Sequence, residues 1–260
     1  LEILTRLIID DGMNYEIEMM KYANRLKVIS NNKDIGIEHK KNKKTFLMGA
    51  EVTLNSKGFR GNELKNETKK ILMLGDSMTF GWGAKNPFPN ILDKKIKNFE
   101  VINAGIGNTN TNMQINNFFE NFKEYYKYDL IILNFFLNDF EKVKITKPNI
   151  FQKYSYAYTY LSNNINQILI RNNMKKNWNE FYSSLYNNDQ IKDEIFANIL
   201  KLKNYCKENN INLIIHNIPE LRNLKNYQFK RETDQLKNFA LDNDIKFINS
   251  HENLIEFNEK

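Results

Sequence analysis

The sequence predicts an α/β domain, a parallel sheet of five strands with helices packed on both faces. Three observations predict it. Five short apolar, β-branched runs are each bounded by Gly, Asn or Asp; stretches of helical apolar spacing alternate with them; and 260 residues at 41% hydrophobic suffice for one sizeable core rather than two.

In chain order the runs are Lys70–Leu74, Glu100–Asn103, Asp129–Phe135, Ile211–Asn217 and Ile245–Ile248. They are short enough for strands, and their unbroken apolar character suits a sheet buried on both faces. Between them, helical spacing runs through Asn90–Lys97, Met113–Tyr126, Ile191–Asn209 and Arg231–Asp242. Sheets of this kind bind ligands at the carboxyl ends of their strands, so the residues just after each run are the candidates for chemistry.

Two regions stand outside the alternation. Residues 1–69 are polar and irregular apart from a helical patch around Tyr15–Leu26, and are expected to form an N-terminal extension packing on a core of residues 70–260. Residues 141–190, rich in Tyr, Asn and Lys, read as an insertion of helical character. Its tyrosines Tyr154, Tyr156, Tyr158 and Tyr160 can line a carbohydrate or acyl site or simply pack the insertion, which is the commoner use of aromatic rings.

The net charge of +7 permits an anionic partner, but the lysines are scattered among Asn, Glu and Asp. The densest run, Lys40, Lys41, Lys43 and Lys44, lacks interleaved aromatic rings and reads as a solvated loop, so no nucleic acid is expected as a partner. The single cysteine, Cys206, excludes an internal disulfide and reads as packed in an amphipathic helix. Three dispersed histidines and one cysteine spell no zinc site, and the Gly-containing turns spell neither a dinucleotide nor a P-loop pattern. Neither a metal nor a cofactor is expected. No apolar run reaches the roughly 18 residues of a spanning helix. The chain opens on Leu1 with the apolar LEILTRLII, from which an upstream anchor or signal, and an extracytoplasmic or membrane-anchored setting, are expected.

The chemistry-bearing residues follow the first three runs. Gly75-Asp76-Ser77-Met78-Thr79-Phe80-Gly81 places a serine where a strand hands over to a helix, a position that exposes its hydroxyl and sets its own N–H near a helix start. A Ser or Asp there is equally a helix cap. Asn103-Ala104-Gly105-Ile106-Gly107-Asn108-Thr109 is a loop whose main chain can approach a ligand, and Asn138, after the third run, offers a side-chain amide donor. Separately each suits an ordinary turn. Together, Ser, Gly and Asn at the ends of three successive strands can be gathered by one pocket.

In these blocks the sequence resembles the SGNH/GDSL hydrolase superfamily: GDSMTFG its first block, NAGIGNTNT its second and FLND its third. Leu54-Asn55-Ser56-Lys57-Gly58-Phe59-Arg60-Gly61 resembles an element found before the first block in a bacterial subset tied to cell-surface polysaccharides. The resemblance covers roughly residues 45–257. It implies a three-layer α/β/α, flavodoxin-like fold, Ser77 as nucleophile of a serine ester hydrolase, and an oxyanion held by backbone N–H groups of Ser77 and of Gly107 or Asn108 and by the Asn138 side chain. An ungapped alignment puts Asn108, not Gly107, at the usual oxyanion glycine; Phe136 stands where many members carry Gly and alters the pocket wall.

Family members finish with Asp-x-x-His after the fifth strand, the His serving as general base. Here Asn249-Ser250-His251-Glu252-Asn253-Leu254-Ile255-Glu256-Phe257 runs to Lys260 without that block, and the resemblance places it a few residues further on. His251 is the candidate substitute base; His216, ending the fourth run, is a weaker one, and His39 has no evident partner. The expected substrate is an ester-bearing small molecule or polysaccharide, O-acyl groups on carbohydrate above all. The alternatives are an impaired module that binds glycan or protein, and an O-acyltransferase.

Overall fold

The computed structural model describes residues 1–65 and 69–255; the Glu256–Phe257 end of the segment resembling the approach to the last family block lies outside them. The chain begins with a short helix, α1 (Glu2–Leu4), continued by a π-helical turn over Thr5–Ile9. Helix α2 (Tyr15–Leu26) starts where the Asn14 side chain accepts the Ile17 N–H, an N-cap that satisfies one of the free donors of the first turn. Two antiparallel hairpins follow, β1 (Lys27–Ile29) with β2 (Ile37–His39) and β3 (Lys43–Leu47) with β4 (Ala50–Leu54). The helical patch thus forms as expected, but the rest of this region is not irregular. Lys43 and Lys44 open a strand rather than lying in a loop, and Lys40 Nζ donates to Asn24 O at 2.7 Å.

The core continues through β5 (Lys69–Leu74), α3 (Ser77–Phe80), α4 (Phe88–Lys95), β6 (Phe99–Asn103), α5 (Thr111–Asn117, prolonged by a π-helical turn to Phe122) and β7 (Leu130–Phe135). The insertion is helical: α6 (Ile150–Tyr154), α7 (Tyr156–Arg171) and α8 (Trp178–Tyr186). After it come α9 (Asp189–Glu208), β8 (Asn212–Asn217), α10 (Lys230–Asp242), β9 (Lys246–Asn249) and α11 (Ser250–Ile255). All five expected strands and all four expected helices form, with shifts at their ends. Helix α4 starts before Asn90 because Pro89 sits in the first turn, where its missing N–H has no helical partner to lose.

Strands β5 to β9 make one parallel sheet in the order β6-β5-β7-β8-β9. Alternate side chains of β5 serve the two layers. Ile71 and Met73 pack with Phe88 and Leu92 of α4, while Leu72 and Leu74 join the larger core with Ile115, Phe118, Ile195, Ile199 and Leu202 from α5 and α9. Burial on both faces is why these strands read as continuous apolar runs, and the result is the expected three-layer α/β/α architecture. Cys206 packs in α9 at 1% exposure, and burial pushes its thiol up to about 12.

The strand order fixes where a ligand can sit. From β5 the chain moves outward to β6 and then returns to the other side for β7, so the connections leaving β5 and β7 part company. The crevice they leave lies beyond the carboxyl ends of those strands.

Candidate active site

Two residues past β5, the Asp76 carboxylate caps α3, with Oδ1 accepting the Met78 N–H at 2.8 Å. Its other oxygen accepts the Ser77 hydroxyl at 3.3 Å, and the Ser77 N–H and the Asn138 amide also donate to this carboxylate. Asp76 is fully buried, and burial raises its pKa against the pull of these donors. Ser77 itself is half-buried.

The second block reaches this turn by close backbone approach. A Cβ on Gly105 would lie 2.2 Å from Phe80 N and 2.9 Å from Asp76 O, so only glycine lets the loop after β6 lie against α3. One at Gly107 would stand 3.5 Å from Ser77 Cβ. The Gly107 N–H is already engaged, however, donating to Tyr22 Oη at 3.0 Å. Asn108, exposed and left-handed at φ 63°, lines the cavity beside Ser77. Of the two oxyanion candidates in this loop, Asn108 is therefore the one with a main chain free to face a ligand.

The third block is anchored by Asp139. Its Oδ1 accepts from Thr111 Oγ1 at 3.0 Å and Gln114 Nε2 at 2.9 Å, and its Oδ2 from Phe136 N–H at 2.7 Å. Burial, with Asp76 nearby, holds Asp139 well above the usual carboxylate range. This anchor orients the turn over Leu137–Phe140 so that Asn138 faces Asp76, with one amide N–H on the carboxylate and its Oδ1 buried without a partner.

The N-terminal extension buttresses all of this. Lys27 Nζ donates to Gly107 O at 2.9 Å. The His39 Nδ1–H donates to Gly58 O at 3.1 Å, which leaves Nε2 as the acceptor of the Tyr22 O–H at 2.7 Å. Burial, with Lys27 and Arg60 close by, holds His39 down at about 3, so this ring is neutral. Arg60, in the element preceding the first block, donates to Phe80 O and Gly81 O at 2.6 Å and Ala84 O at 2.8 Å. A cation thereby ties up the carbonyls that end α3.

The resulting cavity, about 620 Å³, is lined by Ser77, Asn108 and Asn138, with Tyr15, Trp82, Phe88, Phe136, Trp178 and Tyr182 among its walls. Phe136, where many family members carry Gly, is indeed part of the wall. Glu141 also lines it, its carboxylate accepting the Tyr182 O–H at 3.1 Å. Sequence reasoning missed Tyr15 and Tyr22 of the extension and Trp178 and Tyr182 of the insertion. The four tyrosines it singled out do not line the cavity. Among them, Tyr156 lies under the Arg6 guanidinium at 4.0 Å and Tyr154 and Tyr158 are exposed.

His251 is not brought to Ser77. Its Nε2 bonds Leu224 O at 2.8 Å and its ring stacks on Tyr227 at 4.3 Å. His216 pairs Nδ1 with Asn134 Oδ1 at 2.8 Å and Nε2 with Ser250 Oγ at 2.6 Å, and burial holds it down at about 4. Among the described residues no histidine nitrogen hydrogen-bonds the Ser77 hydroxyl, no group of His, Cys, Asp and Glu is arranged to hold a metal ion, and no helix is long and apolar enough to cross a membrane.

No family model and no curated protein matches the sequence. Among solved structures, the chain is similar to a member of the lipolytic G-D-S-L family from Veillonella parvula (15% identity, 74% of this chain and 83% of that one, TM-score 0.44). It is also similar to a GDSL-like lipase from Bacteroides thetaiotaomicron (16%, 72% of each chain, TM-score 0.40) and to AlinE4, an SGNH-hydrolase family esterase (20%, 71% and 77%, TM-score 0.41). These likenesses concern the fold, and the chemistry is read from the site alone.

Proposed function

We propose that this chain acts on esters through Ser77, in the manner of the SGNH hydrolases its motifs resemble. The observation that carries the reading is the convergence of Ser77, Asn108 and Asn138 on one aromatic-walled cavity at the switch point of the sheet. In this reading Ser77 Oγ attacks the ester carbonyl carbon. The resulting oxyanion takes hydrogen bonds from the Asn108 N–H, from the Asn138 amide N–H left over by Asp76, and from the Ser77 N–H once it turns from the Asp76 carboxylate to the substrate. The C–O bond to the alcohol then breaks, the alcohol leaves with a proton, and water or an acceptor hydroxyl releases the acyl group from Ser77. The aromatic walls favour a sugar ring beside the ester, so the proposed substrate is an O-acylated carbohydrate.

The Oγ proton needs an acceptor; among the described residues no histidine bonds Ser77, and imidazole in solution can serve as that acceptor. Hydrolysis of p-nitrophenyl acetate and of an acetylated oligosaccharide, each with and without imidazole, should be Ser77-dependent. Equal rates in wild type and Ser77→Ala, both folded by circular dichroism, would overturn the reading. The aromatic walls of the cavity, Trp82, Trp178 and Tyr182, favour one second reading, a glycan-binding module. Saturable glycan binding without turnover, even with imidazole, would select it.

A further inference from the structure

A second cavity, about 670 Å³, adjoins the Ser77 cavity, and Asn108 and Val143 line both. Its charged lining is of one sign: Lys27, Lys40, Lys144, Lys147 and Lys153, with no Asp or Glu among the lining residues. In a chain whose 38 basic residues are mixed with 31 acidic ones, this is a local segregation of charge, and walls of one sign concentrate the opposite ion. The rest of the lining is largely aliphatic, including Val28, Ile29 and Ile37, and it holds no aromatic ring on which a nucleobase could stack.

Lys27 distinguishes this cavity from a patch of surface lysines. It is 8% exposed, donates to Gly107 O, and lies 4.2 Å from the Tyr22 ring centroid. The charged side chains that line the cavity with it are all lysines, and among the described residues no carboxylate pairs with it. A buried ammonium with no counter-charge is costly, and burial holds it down at about 7. An anion seated in this cavity would offset that cost.

We propose that the lysine-lined cavity binds an acidic saccharide, so that the ester-bearing sugar in the Ser77 cavity is followed by residues carrying carboxylate or phosphate. The two cavities meet at Asn108 and Val143, so one oligosaccharide that passes these residues would occupy both. As a statement about the substrate this rests on the ester reading; as a statement about binding it stands apart from it.

The test uses Ser77→Ala protein, so that no turnover intervenes, and calorimetric titration with hexagalacturonate, with neutral xylohexaose and with mannose 6-phosphate. The acidic oligosaccharide should bind, and Lys144→Gln/Lys147→Gln, two exposed changes, should weaken it about tenfold. Raising salt from about 50 to about 300 mM should weaken it further. Tighter binding by the sugar phosphate, charge for charge, would support the site and identify the acid as phosphate. Equal binding of xylohexaose, indifference to the double substitution, or tighter binding of oligothymidylate or of phosphatidylglycerol vesicles would overturn the proposal. Because p-nitrophenyl acetate carries no anionic group, its Ser77-dependent hydrolysis survives loss of the anion site, and anion binding survives loss of hydrolysis. The two readings therefore fail separately.

Discussion

Replacing Tyr22 by Phe removes one oxygen and, with it, two hydrogen bonds: the one accepted from Gly107 N–H at 3.0 Å and the one donated to His39 Nε2 at 2.7 Å. Tyr22 is fully buried and His39 is 8% exposed, so no water reaches either group left behind. Each orphaned group costs about 1–3 kcal/mol. The Phe ring keeps its stacking on Phe80, at 5.0 Å between centroids, so the loss is that of the hydroxyl alone. Destabilisation of at least about 2 kcal/mol follows, equivalent to a fall in Tm of about 4–8 °C for a domain of this size. Urea unfolding followed by circular dichroism measures it, with an unchanged m value required for the comparison. Exposed Tyr154→Phe, the control, should stay within about 0.5 kcal/mol of wild type. If Tyr22→Phe also stays within about 0.5 kcal/mol, the extension does not hold the Gly107 loop through this hydroxyl and the reasoning fails. In the folded variant, Ser77-dependent hydrolysis should fall as well, because the loop that presents Asn108 has lost a tether.

Asn138→Ala should lower kcat for Ser77-dependent hydrolysis about 10²–10³-fold, the usual effect of removing one oxyanion donor, while KM for p-nitrophenyl acetate changes little. After the protein-free rate at the same imidazole concentration is subtracted, added imidazole should raise the rate of wild type and leave Ser77→Ala at zero; an equal excess over the blank in both would show that the stimulation does not pass through Ser77. Gly105→Ala puts a methyl among backbone atoms 2.2–2.9 Å away that no rotamer change can clear, so it should cost more than the about 1–3 kcal/mol of ordinary overpacking, read by thermal unfolding. Burial holds His216 at about 4, below its ordinary value of 6.5, so the stability it contributes is complete above about pH 6.5 and is lost as the pH falls through about 4. Between pH 7 and pH 5 wild type should therefore lose about 2 kcal/mol more than His216→Gln, and parallel pH profiles would refute this.

What was legible in the sequence, and what was not, follows from where each contact's partners lie along the chain. The strands of the large sheet were legible because burial on both faces leaves an unbroken apolar run, as in Ile71–Leu74, that polar neighbours bound on each side. The positions of Ser77 and Asn138 followed from strand order alone, because a parallel sheet gathers whatever follows its strands. The small hairpins were not legible. In β3, Lys43 and Lys44 are exposed and only Leu47 is fully buried, so lysine-rich composition masks the alternation of a half-buried strand. The tether from Tyr22 to Gly107 spans 85 residues and joins a helix to a loop, a contact no local pattern encodes. The aromatic rings of the insertion hold the sharper lesson. Tyr156, Tyr158 and Tyr160 recur every second residue, which on the helix they occupy sets neighbours about 200° apart and scatters them around its circumference. Trp178 and Tyr182, four apart, share one face of α8, their rings 4.4 Å apart, and both line the cavity. Once residues 141–190 are read as helical, spacing rather than abundance decides which aromatic residues can meet at one site, and that criterion favours the pair at 178 and 182 over the four tyrosines.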